Sequence, residues 1–293
     1  MPIDREKALG AELEGGEFTW DADRLILYAL GVGIGVNQNQ VDPKKVLQYT
    51  YENGLKALPT FGVVPVFGAI GNLISLPGLD INLMMLLHGE QYTEIVKSPL
   101  PINAKVISSG KVTGIYDKVK GALLVMDVDS KDADTGEIMI KNTFSAYIRG
   151  EGGFGKPDDP KAPEPGNEPP DREPDKVIEY PTMTHQAILY RLSGDKNPLH
   201  IDPEMAKMGG FDVPILHGLC TYGNVGRAVI EAYTDNNPEK FKSIKVRFSK
   251  PVFPGETIVV QMWKESNTEI ICKAKAKERD IDVITNAKVT LTG

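Results

Sequence analysis

The chain has 293 residues, 41% of them hydrophobic and 25% charged, enough for two ordinary domains with cores of their own. Its net charge of −7 argues against nucleic acid as a partner, and no apolar run approaches the ~20 residues of a membrane span. Cys220 and Cys272 are too few for a disulfide framework and lack metal-ligand spacing, which points to a reducing compartment and to no metal site.

In the first half, Asp21 or Asp23 can cap a helix over residues 24–30 that stops at Gly31. Gly31, Gly33 and Gly35 do not make a dinucleotide loop, because no strand precedes them and the third glycine is misplaced. A helix within residues 41–58 starts after Asp42-Pro43 and meets Gly54. Residues 60–83 are apolar and rich in Gly and Pro, with Phe61, Val63, Val64 and Phe67 among them. Such a segment is a packing element or the wall of an apolar tunnel. A short helix is expected within residues 66–76. Alternating runs then predict strands at 92–96, 104–107, 123–128 and 138–140.

Residues 151–176 are dominated by Pro, Gly, Asp and Glu, cannot bury a core, and read as an extended linker. Beyond them Ala187, Ile188, Leu189 and Leu192 form a short helix with Thr184 as its expected N-cap. Ser193-Gly194 breaks that helix, Asn197-Pro198 keeps it from resuming, and Asp202-Pro203 caps the next one. A longer helix is expected over residues 216–233, where Gly218, Gly223 and Gly226 would let a strand approach closely. Residues 240–250 carry five cations and no acid, and strands follow at 257–263, 269–276 and 283–291.

The two halves share a pattern. Ile26-Leu27-Tyr28-Ala29-Leu30-Gly31-Val32-Gly33 lines up with Ile188-Leu189-Tyr190-Arg191-Leu192-Ser193-Gly194-Asp195. Pro-rich breaks at 97–101 and 250–255 also correspond, as do the last strands, which carry Asn142 and Asn286. A helix followed by an antiparallel sheet that wraps it is the hot-dog arrangement. The expected fold is therefore α+β, a double hot-dog: two tandem antiparallel sheets, each wrapped around a helix. The first repeat covers residues 1–150 and the second residues 177–293.

Chemistry concentrates between Tyr190 and His200. Asp195, Asn197 and His200 put an acid, an amide and an imidazole on one tight loop, where two proton-transfer groups can meet one water or substrate atom. A Ser-Gly-Asp-Lys-Asn-Pro run is also an ordinary turn. However, Tyr190-Arg191-Leu192-Ser193-Gly194-Asp195, followed by Asn197-Pro198-Leu199-His200, resembles the signature of the (R)-specific enoyl-CoA hydratases, the hydratase 2 or MaoC-like family. The resemblance spans both halves.

It implies reversible hydration of trans-2-enoyl-CoA to (3R)-3-hydroxyacyl-CoA in fatty-acid β-oxidation. Asp195, Asn197 and His200 would form the catalytic set, with the Gly218 N–H as oxyanion donor. His88, Gly89, Lys118 and Phe248 match the family's ligand-contacting positions. Gly33 stands where Asp195 stands in the second half, so the first half would be non-catalytic and accommodate the acyl chain. Val63 and Phe67 are expected along the chain's path.

The resemblance further implies an acyl-CoA substrate, no separate cofactor and no metal, a homodimer, and a peroxisomal location. Without it a cytoplasmic location would be the expectation, since the C-terminus is not of the Ser-Lys-Leu type. Strand alternation puts Lys245 and Arg247 on one face, and Lys242, Phe248 and Lys250 on the other. Lys250 is therefore the expected phosphate partner. His217, ahead of a helix, reads as structural, and the loop bearing Asp195 and His200 as solvent-accessible. The alternatives are a related hot-dog thioester enzyme (an acyl-carrier dehydratase or a thioesterase) and a non-catalytic acyl-CoA binding module. A thioesterase would not need the Asn197-Pro198-x-His200 turn, and a binding module would not keep the acid–imidazole pair.

Overall fold

A computed structural model describes residues 3–36, 43–82 and 85–293. Val41, Asp42 and Leu83, parts of two expected segments, lie outside the described residues. The first half contains α1 (Arg5–Ala8), β1 (Glu12–Trp20), α2 (Ala22–Gly31), α3 (Pro43–Thr50), a 3-10 turn (Pro59–Val63), α4 (Phe67–Gly71), β2 (Leu86–Ile95), β3 (Ala104–Asp117), β4 (Gly121–Asp132) and β5 (Ile138–Arg149). The second contains β6 (Lys176–Pro181), α5 (Gln186–Tyr190), α6 (Pro203–Met208), α7 (Gly218–Tyr233), β7 (Phe241–Phe248), β8 (Thr257–Lys264), β9 (Glu269–Ala276) and β10 (Ile281–Leu291).

The strands form one antiparallel sheet in the order β1-β3-β4-β5-β2-β7-β10-β9-β8-β6. Read outward from the junction of β2 and β7, both halves follow the same order, so the duplication seen in sequence is a duplication of topology. The two five-stranded halves are not separate sheets. β2 and β7 pair from Glu90↔Arg247 to Glu94↔Ser243 and join them into one. This pairing satisfies two strand edges that would otherwise stand open.

The helix α7 is buried along almost its whole length, among them Leu219, Tyr222, Val225 and Val229. Its glycines serve the junction of the halves more than a strand. A Cβ at Gly223 would stand 2.6 Å from Val32 Cγ1, and one at Gly226 would collide with Thr60 Cγ2. Gly218 and Gly226 also face strand β7, Gly218 toward Phe248 and Gly226 toward Phe241 and Ile244. The core is therefore shared, running from Tyr28 and Phe61 through Tyr190 and Tyr222 to Phe241.

Among the described residues, the first half has no equivalent long helix. Between residues 66 and 76 lie only α4 and a 3-10 turn, Asn72–Ser75. Gly68 and Gly71 weaken the helix, and α4 presses so closely on β1 that a Cβ at Gly68 would strike the Gly15 carbonyl. α2 and α5, the paired segments of the repeat, pack together. Gln186 Nε2–H donates to Gly31 O at 2.6 Å, and a Cβ at Gly31 would lie 3.3 Å from Tyr190 Cα. Asp21 caps α2 and Asp202 caps α6. Thr184 does not cap α5: the N-cap position is His185, one residue later, with no side-chain bond. Residues 151–175 carry no helix or strand. They are tied down by Asp117, whose carboxylate accepts from the Gly153 and Gly155 N–H groups, and by Lys245, whose ammonium donates to Pro165 O.

Candidate active site

The loop between α5 and α6 is shaped by its own side chains. At Gly194 φ is +147°, and a Cβ there would stand 2.9 Å from the Phe67 ring, so this turn needs glycine. Phe67 thereby brings the first half against the loop. Asp195 Oδ1 accepts from the Asn197 N–H at 3.1 Å, and Asn197 Oδ1 accepts from the Leu199 N–H at 3.0 Å. Asn197 thus caps the 3-10 turn Pro198–His200, which leaves its amide NH2 as the end that can donate to a ligand.

His200 is 8% exposed, so this loop is not solvent-accessible throughout. Its Nδ1–H donates to Ile215 O at 2.8 Å. A carbonyl only accepts, so the bond fixes the tautomer and leaves Nε2 as a bare lone pair. That nitrogen lies 3.9 Å from Asp195 Oδ2, too far for a direct hydrogen bond and close enough for a shared intervening atom. Burial pushes the His200 pKa down, and the Asp195 charge and the Ile215 bond oppose it only in part. The imidazole is held neutral, as a base.

His217, read from sequence as structural, stands beside this pair. Its ring stacks on His200 at 3.7 Å and 27°, and the Tyr190 ring lies 4.9 Å from it at 49°. Its Nε2–H donates to the Asp195 carbonyl at 3.1 Å, which ties the loop to the start of α7. Burial and the neighbouring His200 keep its pKa well below the usual value. Nothing in the sequence spacing announces this stack.

Gly218 is the first residue of α7, and the N-cap His217 contributes no side-chain bond. The first N–H groups of a helix lack intrahelical partners, so this terminus offers donors to an oxyanion. Phe248 covers it, its ring atoms 3.1 Å from where a Gly218 Cβ would be. The Phe248 ring lies 4.7 Å from His88, which in turn lies 3.9 Å from Phe144. The fold thus brings His88, Phe248 and Gly218 together. His88 is not a cation there: burial pushes its pKa down to about 3, and its Nε2–H is spent on Glu90 O. Gly89 is the extra residue of a β-bulge, where the β2–β5 register shifts between His88 and Glu90.

Lys118 and Lys250 are exposed. Strand register puts both at one end of the sheet, since Asp117 pairs with Ala122, Gly121 with Arg149, Leu86 with Ile148 and Glu90 with Arg247. β3 and β7 are four strands apart, ~19 Å along the sheet at the usual strand spacing. β7 ends at Phe248, so its alternation does not extend to Lys250. Phe241 and Ile244 both face Gly226, and the register with β10 shifts beside them. The odd–even sorting of Lys242 and Lys245 therefore fails. Lys245 is already paired with Glu90 at 3.2 Å.

A cavity of about 200 Å3 reaches the loop at Leu192 and Ser193 and is lined otherwise by Phe18, Arg24, Leu27, Phe61 and Val64. Val63, expected in such a wall, is instead 1% exposed in the core, and Phe67 packs on Gly194.

Residues 18–150 match the family model described as the MFE-2 hydratase 2 N-terminal domain, and residues 166–287 match the MaoC-like domain. A Dictyostelium discoideum protein named probable enoyl-CoA hydratase 2 is 42% identical, covering 99% of this chain and 97% of its own length. The structure of full-length peroxisomal multifunctional enzyme type 2 from Drosophila melanogaster superposes with a TM-score of 0.80 at 41% identity, over 96% of this chain and 48% of that one. A MaoC-like dehydratase from Phytophthora capsici superposes with a TM-score of 0.85 at 35% identity, over 99% and 98% of the two chains. A Mycobacterium tuberculosis protein described as a double hot-dog, 13% identical at a TM-score of 0.58, shares the fold. The chain spans about half or less of the multifunctional relatives and nearly all of the Dictyostelium one. Its duplicated sheet, its signature loop and these likenesses place the chain in the MaoC-like hydratase 2 family.

Proposed function

We propose that this protein hydrates trans-2-enoyl-CoA reversibly to (3R)-3-hydroxyacyl-CoA. One observation carries the reading: a neutral His200 presents a bare Nε2 to Asp195 across 3.9 Å, beside the free N-terminus of α7. A water held in that gap gives a proton to His200 Nε2 as its oxygen bonds to C3. The C2=C3 electron pair moves into the thioester, and the N–H groups at Gly218 hold the enolate oxygen. Collapse of the enolate takes the proton back at C2, so the water's own proton balances the addition and the pair returns to its starting state. Asp195 holds the water and stabilises the transient imidazolium. The Asn197 amide orients the same water.

The 200 Å3 cavity takes the acyl chain, since its walls are mostly apolar and Leu192 and Ser193 belong to the signature loop. Lys250 and Lys118 meet different phosphates of coenzyme A, which is part of the substrate. No metal or separate cofactor is needed for these steps. A homodimer and a peroxisomal setting belong to the same reading, and relatives named as peroxisomal enzymes support the location. The test is loss of the enoyl-thioester absorbance on adding crotonyl-CoA or a longer enoyl-CoA, with chiral analysis of the product. No loss with either substrate would overturn the reading.

A further inference from the structure

Among the described residues that line the 200 Å3 cavity, Arg24 alone is charged; the others are apolar apart from Ser193. Ser193 adjoins the Asp195 loop, whereas Arg24 is exposed and stands where the cavity meets solvent. The Arg24 guanidinium carbon lies 5.0 Å from the centroid of the Phe18 ring, a cation–π contact that holds the cation against the cavity wall. The cation does not serve its own helix. Arg24 is the third residue of α2, in the first turn, where the helix dipole favours acids. The N-cap Asp21 accepts from the Arg24 main-chain N–H at 3.1 Å, and among the described residues no carboxylate forms an ion pair with the guanidinium. A hydrocarbon chain that ends in a methyl group gains nothing from a guanidinium, whose fork of N–H donors matches a carboxylate.

We propose that Arg24 reads the far end of the acyl chain and binds the carboxylate of an ω-carboxyacyl-CoA, the thioester of a dicarboxylic acid. The inference rests on the hydratase reading of the same site. The thioester stays at the signature loop, the apolar walls take the methylenes, and the ω-carboxylate leaves the cavity at Arg24, still in contact with water. Chain length then decides recognition. A dicarboxylic chain too short to span the cavity leaves its charge among Leu27, Phe61 and Val64 with no partner, which is costly. A much longer chain carries its carboxylate past the guanidinium into solvent.

Calorimetry on the full-length protein tests this with two series of saturated acyl-CoA thioesters, one ending in methyl and the other in carboxylate. The quantity read is the Kd of the methyl-ended thioester divided by that of the carboxylate-ended one of equal length. In the native protein this ratio should peak at one chain length. At that length Arg24→Gln should lower the ratio ~5-fold or more, the upper range for a partly exposed ion pair. Arg24→Lys should lower it less, because an ammonium keeps the charge and lacks the fork. Circular dichroism checks the fold of each variant, and if Arg24→Gln fails to fold, Arg24→Lys decides alone. A ratio without a peak, or one equal in Arg24→Gln and the native chain, would overturn the inference. The second result is what a contact between Arg24 and a coenzyme A phosphate would give, since both series carry the same phosphates. Saturated thioesters are not hydrated, so this outcome is separate from that of the hydratase reading, which stands or falls on the loss of enoyl absorbance.

Discussion

The Nδ1–H bond to Ile215 makes His200 a base before any substrate arrives. Replacing it by Gln removes the accepting lone pair, and Asp195→Asn removes the charge across the gap. Each is expected to lower turnover by ~10²–10⁴, the usual worth of a positioned acid–base group. Thermal midpoints should separate the two: Asp195 is partly open and its variant should melt near the native protein, while the buried His200→Gln should melt lower. Turnover within threefold (roughly, on the scale of such effects) of native in either variant would remove it from the chemistry. The pH profile follows from the same environment. Because the folded-state pKa of His200 is lowered from 6.5, its neutral form persists as pH falls past that value. The acid limb of kcat/KM should therefore lie below 6.5, and a limb above it would contradict a buried neutral base. The acid, the amide and the imidazole were legible in sequence because they share one short loop. The His217 stack was not, since it depends on where α7 begins relative to that loop, a matter of tertiary packing.

At the scale of elements, the proposed acyl-chain path turns on the 3-10 turn Pro59–Val63. With three residues per turn, positions i and i+3 eclipse, so Phe61 and Val64 come to the same side and both line the cavity. Val63 and Phe67 stand out in the sequence equally with Phe61 and Val64, because hydrophobicity alone does not report the helix type. Leu27, half-buried at the cavity wall, offers a test that spares the core. Leu27→Trp should fill the space and lower kcat/KM for a long enoyl-CoA by about tenfold or more, leaving crotonyl-CoA nearly unaffected. Equal losses for both substrates would place the chain elsewhere. The sequence hides strand β1 for a related reason. Glu12, Glu14 and Glu17 face solvent around a bulge at Gly15 and Gly16, which hides the alternation that would announce a strand. The bulge in β7 likewise defeated the odd–even sorting of its lysines.

At the scale of the molecule, duplication was legible from repeated motifs, and the mirrored strand order follows it. Fusion of the halves was not legible, because the β2–β7 pairing and the shared core set residues far apart in the chain, from opposite halves, against each other. The net charge is −7, so a phosphate-bearing substrate must be met by local cations. Lys250→Ala is expected to raise KM, flatten its salt dependence and leave kcat nearly alone, as loss of uniform binding does. An unchanged KM would move the phosphate site away from this end of the sheet. The central claim is that one water, one Asp–His pair and one helix terminus suffice for stereospecific addition. It is tested most directly by incubating the chelator-treated protein with trans-2-enoyl-CoA and resolving the product on a chiral column. The account predicts (3R)-3-hydroxyacyl-CoA at an undiminished rate. The (3S) product, or activity that vanishes with the chelator, would contradict it.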